Sequence, residues 1–185
     1  MYLCLMEIKI IYTIFHILGA VLGAGGAYVS DAMFFSSVRD RVIGAVELRF
    51  LRLGSIFVWM GLGVLIVSGA LLFSTNPAGY LASSKFVFKM FVVLVILING
   101  IVFHTVHLPR IHRHAGHHYP SSDEFMRKRG ILVASGVVSM TSWTVALVLG
   151  VLRSIPVDLG TGILVYIIFE IVMISGALLF SKRLI

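Results

Sequence analysis

Four ionisable side chains stand where an apolar chain tolerates them least: His16, Lys89, His104 and Glu170. An imidazole nitrogen is a metal or haem ligand and a proton carrier near neutral pH. A lysine ligates only as the neutral amine. A glutamate is too short to reach water from mid-helix, so Glu170 must be neutral or paired with Lys89 or His16. A fifth polar group, Asn99, lies in the same apolar run as Lys89. His104 and His107 are spaced i, i+3, which puts both on one helical face and makes them a candidate pair for a metal or a haem. Five more residues down the chain a tract begins, containing His112, His114, His117 and His118. Such tracts bind zinc, copper or nickel. The acids nearest to it are Asp123 and Glu124, and a solvated basic loop explains it better than a metal site.

The elements that position these groups follow from composition. Of 185 residues, 59% are hydrophobic and 12% are charged. A soluble domain carries about twice that share of charge. Cys4 is the only cysteine, which excludes an internal disulfide and a cysteine-ligated cluster. The fold class that remains is an all-α integral membrane protein. Its 185 residues form one transmembrane helical domain, with five spans at about 10–29, 53–73, 86–106, 131–151 and 161–180. Each is close to the roughly 20 residues that cross a hydrocarbon core. Period-two alternation is absent, which argues against a barrel. Residues 75–77, Pro109, residues 120–123 and Pro156 mark the breaks. Gly23 to Ala27 would suit signal cleavage, but the late Lys9 and His16 inside the apolar run favour a retained span. Met1 and Met6 are both reasonable starts.

Charge gives the orientation. Eleven of the fifteen lysines and arginines, among them Arg39, Arg52, Arg110 and Lys128, fall on the side of the first long loop, the third loop and the C-terminus. That side is expected to be cytoplasmic, with the N-terminus outside, in the inner membrane of a bacterium. The net charge of +7 then suits anionic lipid headgroups and gives no support to nucleic-acid binding. The segment 36–52 reads as interfacial helix or as helix extensions.

On the outward half, His16, Lys89 and Glu170 lie about 9, 5 and 14 Å below the surface, so they can converge in one pocket. Lys89 can equally snorkel to the interface, as Lys85 should. His16 shares a face with Gly19, Ala20, Gly23 and Ala27, which would admit either a close helix or a flat ligand. Lys89, Ile96, Gly100 and His107 form a stripe flanked by His104 and Asn99, with His104 read as buried. Ser135, Ser139 and Ser142 line the fourth span beside Trp143, as interhelical glue. Residues 68–74 and 175–181 both read Ser-Gly-Ala-Leu-Leu-Phe-Ser, which chance explains better than an inverted repeat.

Two of these stretches carry a family resemblance. Phe15-His16-Ile17-Leu18-Gly19-Ala20, with Gly25-Gly26, resembles the opening helix of CopD-type copper-resistance proteins and HemJ-type protoporphyrinogen oxidases. Lys85-Phe86-Val87-Phe88-Lys89, the apolar run 92–98, Asn99, Gly100 and His104 are similar to their third helix. The likeness covers about the first 107 residues. A HemJ-type resemblance implies haem b held by a histidine in the first helix and a lysine in the third, here His16 and Lys89, with a redox role. The chain departs from that pattern in its fifth span, in Glu170 and in its histidine tract.

Three functions are therefore expected to compete. The first is a b-haem-binding membrane oxidoreductase, with His16 as ligand and Lys89 or His104 as second ligand. The second is a CopD-like handler of copper or another transition metal through His104 and His107. The third is an accessory subunit or homo-oligomer within a larger complex. No phosphate loop, nucleophile elbow or zinc-protease motif is present.

Overall fold

The computed structural model describes residues 2–40, 45–113 and 123–183. His114, His117 and His118 lie outside the described residues, as do Arg41 and Pro120, and the side chain of His112 is not described. The described chain is helical, with no strand. Helices α1 (Tyr2–Asp40) and α2 (Ala45–Ser74) form a long antiparallel pair. The short α3 (Pro77–Leu81) leads into α4 (Ser84–Val102). A π segment (Phe103–His107) joins α4 to α5 (Leu108–Arg113), and α6 (Asp123–Val151) and α7 (Leu159–Arg183) follow.

Five helical stretches are long and apolar enough to cross a membrane: Met6–Ser36, Val46–Ser74, Ser84–Ile111, Gly130–Val151 and Leu159–Phe180. Their outer surface is apolar, with Ile10, Phe15, Val67, Leu94, Val172 and Phe180 exposed. A surface this apolar needs lipid around it, and the chain is a multi-pass membrane protein. The two ends of the bundle are named here by their residues. One carries Lys89 and Asp158, the other His107.

The expected first inner loop is largely helix extension, since α1 runs to Asp40 and α2 starts at Ala45. The pair closes on glycine. A Cβ at Gly19 would lie 3.0 Å from the Gly61 carbonyl oxygen, and one at Gly26 would lie 2.9 Å from that of Gly54. Gly61 in turn lies against the Gly23 backbone. Backbones that approach this closely gain packing that larger residues would block. The small-residue face of α1 is thus filled by α2, and at Gly23 by the Trp143 ring. It offers no room there for a flat ligand.

Helix α6 is the most enclosed span and packs on α1, α4 and α7. The main core gathers Leu62, Val92, Ile96, Trp143, Leu149 and Tyr166. A second cluster, Phe34, Leu51, Ile111 and Leu132, seals the His107 end.

Pro109 does not end the third span, contrary to the sequence expectation. The helix continues through it to Arg113. Proline has no N–H, and its ring crowds the carbonyl one turn earlier. The π segment just before it absorbs the misfit: the Leu108 N–H reaches the Phe103 carbonyl, five residues back.

Candidate functional site

Two polar centres lie inside the bundle. The first is at the Lys89 end. His16 Nδ1 lies 3.0 Å from Ser68 Oγ, and His16 Nε2 lies 3.3 Å from Lys89 Nζ. The local hydrogen bonds favour one tautomer. Ser68 Oγ has one proton, and it goes to the α2 carbonyls of Val64 and Leu65. Ser68 must then accept from His16, so the imidazole proton is on Nδ1. Nε2 keeps its lone pair and faces Lys89. Gly69 makes room for the ring, since a Cβ there would sit 3.4 Å from His16 Cε1. Ser68 and Gly69 belong to the repeated heptapeptide. In the second copy a Cβ on Gly176 would meet nothing. The two copies do different work, which fits chance repetition.

The elements at this end hold α4 in register. Phe73 of α2 stacks on Phe86 of α4 at 5.6 Å, with Tyr80 of α3 beside both. Ser83 Oγ accepts from the Phe86 N–H and caps α4. Lys85 Nζ donates to the Leu152 carbonyl at the C-terminus of α6, where unpaired carbonyls favour a cation. Lys85 therefore anchors one helix to another.

Glu170 does not join His16 and Lys89. Its Oε1 accepts from Thr141 Oγ1 at 2.6 Å and from Ser142 Oγ at 3.4 Å. Ser142 Oγ also bonds Tyr166 Oη at 2.7 Å. The physical reason is Tyr166, whose ring packs edge-on against Phe88 and Phe91 of α4 and fills the space between α4 and α7. The carboxyl is thereby turned towards the hydroxyls of α6. Among the described residues, no ion pair forms between Lys89 and Glu170.

The second centre is a cavity nearer the His107 end. Ser30, Asp31, Ser55, Asn99, Ser135 and Ser139 supply its polar wall. Asn99 and Ser135 form a reciprocal pair. Asn99 Nδ2 donates to the Ser135 carbonyl at 3.0 Å, and Ser135 Oγ donates to Asn99 Oδ1 at 2.9 Å. Ser139 bonds the Asp31 carboxyl. The serine stripe of α6 is indeed interhelical, with one serine for each of α4, α1 and α7.

His104 and His107 separate. His104 is exposed, bonds Ser55 Oγ through Nδ1 at 3.1 Å, and meets the Trp59 ring edge-on. His107 is the buried one, beside Phe103, and neither of its nitrogens has a hydrogen-bond partner. The expectation of a buried His104 is reversed. The shared face was counted on α-helical spacing, and the π segment holds more residues per turn, which rotates the two positions apart. Among the described residues, no three metal-ligating side chains come together.

Asp31 is the polar residue that the sequence reading missed. The expected first span ends at position 29, two residues short of Asp31. Its signal was the stripe itself: His16, Gly19, Gly23, Ala27 and Asp31 recur at helical spacing.

Compared with protein-family models, curated proteins and solved structures, the chain matches none.

Proposed function

We propose that the protein is a membrane-embedded, b-haem-binding redox protein, in which His16 and Lys89 would hold the haem. One observation carries this reading: His16 Nε2, freed by the Nδ1 bond to Ser68, faces Lys89 Nζ across the seam between α1 and α4. An axial histidine is commonly oriented by a hydrogen bond from its other nitrogen, as Ser68 provides here. Imidazole and neutral amine are both donors that iron accepts, and the two nitrogens, 3.3 Å apart, would have to part to admit it. The glycine face of α1 cannot take the macrocycle, because α2 and Trp143 occupy it. The seam beside α4 is the remaining approach. Bound haem would supply one-electron chemistry. The chain's own residues orient the imidazole, present the amine and exclude water through the Phe73–Tyr80–Phe86 cap. In this reading the His107 end faces the cytoplasm of a bacterial cell, as the positive residues of that side require.

The test is the absorption spectrum of purified protein after haem supplementation. A Soret band is expected, lost in His16→Ala and shifted in Lys89→Met. Absence of the band in the unaltered protein would overturn the proposal. The copper reading has less support, because His104 and His107 face apart and share no site.

A further inference from the structure

The cavity beneath Trp143 is independent of His16 and Lys89, and the haem reading makes no use of it. It offers about 40 Å³ to the centres of water-sized molecules. A single water needs roughly 10–15 Å³ on that measure, so about three or four small occupants fit.

Its wall is largely apolar, and the polar part of it is made of oxygen. Asp31 is 8% exposed and Ser30 6% exposed, and both line the cavity. Asp31 Oδ2 and Ser30 Oγ have no hydrogen-bond partner. The Ser139 bond therefore falls on Asp31 Oδ1, on the side where a Cβ on Gly136 would lie 3.7 Å away. Asn99 is held by Ser135 with one lone pair of Oδ1 unused. Ser55 Oγ completes the set and links it to His104 at the rim. Buried oxygens without partners are costly and need an explanation.

Charge selects the occupant. Asp31 is the only charged side chain among the residues that line the cavity. A lone carboxylate inside a bilayer calls for one positive charge. A divalent ion would leave a net charge buried. Oxygen ligands prefer hard cations, and no thiol, thioether or imidazole lines the wall to attract a soft one. A bare proton needs neither the volume nor the neutral oxygens.

We propose that this cavity is a binding site for a monovalent hard cation of the sodium class. Asp31 supplies the charge, and Ser30, Ser55 and Asn99 supply neutral oxygens. His104 marks the way in from the His107 end.

The experiment is equilibrium binding of radioactive sodium to the full-length protein in detergent. Saturable binding of one ion per chain is expected, displaced by unlabelled sodium or lithium and not by choline. Asp31→Asn keeps the shape and the Ser139 contact, and it should abolish binding. Ser30→Ala removes one hydroxyl that has no partner, so it should fold normally and bind several-fold more weakly. No saturable binding to the unaltered protein would overturn the proposal, whatever the variants do. Equal binding to Asp31→Asn would overturn it too. So would a protonated-carboxyl infrared band at Asp31 that added sodium does not diminish, since that marks a proton site. None of these outcomes depends on a Soret band.

Discussion

The two polar centres offer different elements. The Lys89 end presents nitrogen, from an imidazole and an amine that face each other across a seam between helices. The cavity presents oxygen, from a carboxyl, an amide and hydroxyls in a partly open space bordered by α1, α2, α4, α6 and the π segment. Both draw on one stripe of α1. His16 and Asp31 lie fifteen residues apart, roughly 22 Å along the axis. Between them come Gly19, Gly23 and Ala27, which let α2 and Trp143 close the space. One helix face thus carries two unlike donor sets, with small residues between them. Nitrogen suits a transition-metal centre and oxygen a hard cation.

The sharpest break of that comparison is a crossed pair of variants. His16→Ala should lose the Soret band and keep sodium binding, and Asp31→Asn should do the reverse. Loss of both signals in either variant would mean one coupled site. Next in size is the wall between them. Gly61→Val would push a side chain into the Gly23 backbone, where even a Cβ lies 2.6 Å from Cα. It should cost about 1–3 kcal/mol and lower the thermal midpoint in detergent. Gly63→Ala, whose Cβ meets nothing, should leave the midpoint nearly unchanged. Unequal effects are the point, and equal midpoints would deny the close contact.

Smaller still is Ser68→Ala. His16 would keep its place but lose the acceptor for Nδ1, so haem affinity should fall by about tenfold with a moved midpoint potential. Sodium binding should not respond. The smallest effect is expected at Asp158, remote from both centres. Its carboxyl accepts from the Thr161 hydroxyl at 2.7 Å and from the Thr161 N–H at 3.0 Å, at the start of α7. The Thr161 side-chain bond, followed by the backbone bond, holds its pKa below the ordinary carboxylate value. A lowered folded value stabilises at pH above the ordinary value, and that contribution is lost as pH falls through the lowered one. Asp158→Asn should therefore reduce the thermal midpoint slightly at neutral pH, with the difference fading in acid. A difference that grows in acid would contradict this.

The five spans were legible because each is a run of about twenty apolar residues, and no tertiary contact is needed to recognise one. His16 and Lys89 were legible as outliers in such runs. Their approach was expected from the convergence with Glu170 and from the family resemblance. Tyr166 decides that Glu170 turns elsewhere, and the packing of a ring between two helices cannot be read from spacing. His104 and His107 were misjudged because spacing arguments assume α-helical rotation, and Pro109 shifts the rotation locally. Asp31 escaped because hydropathy marks where apolar sequence stops, whereas a helix can run on past that point. The hydrogen-bond pairing of Asn99 with Ser135 needed α4 and α6 in register, which only the fold supplies.

The chain has two tryptophans, Trp59 and Trp143, and both border the cavity. All of its indole emission therefore arises from the walls of one small chamber. Trp59 also touches His104 at the rim, and Trp143 closes the side towards Gly23. Water entering the chamber would shift that emission to longer wavelength, and filling it with an ion would shift it back. The protein carries its own optical gauge of what its interior holds.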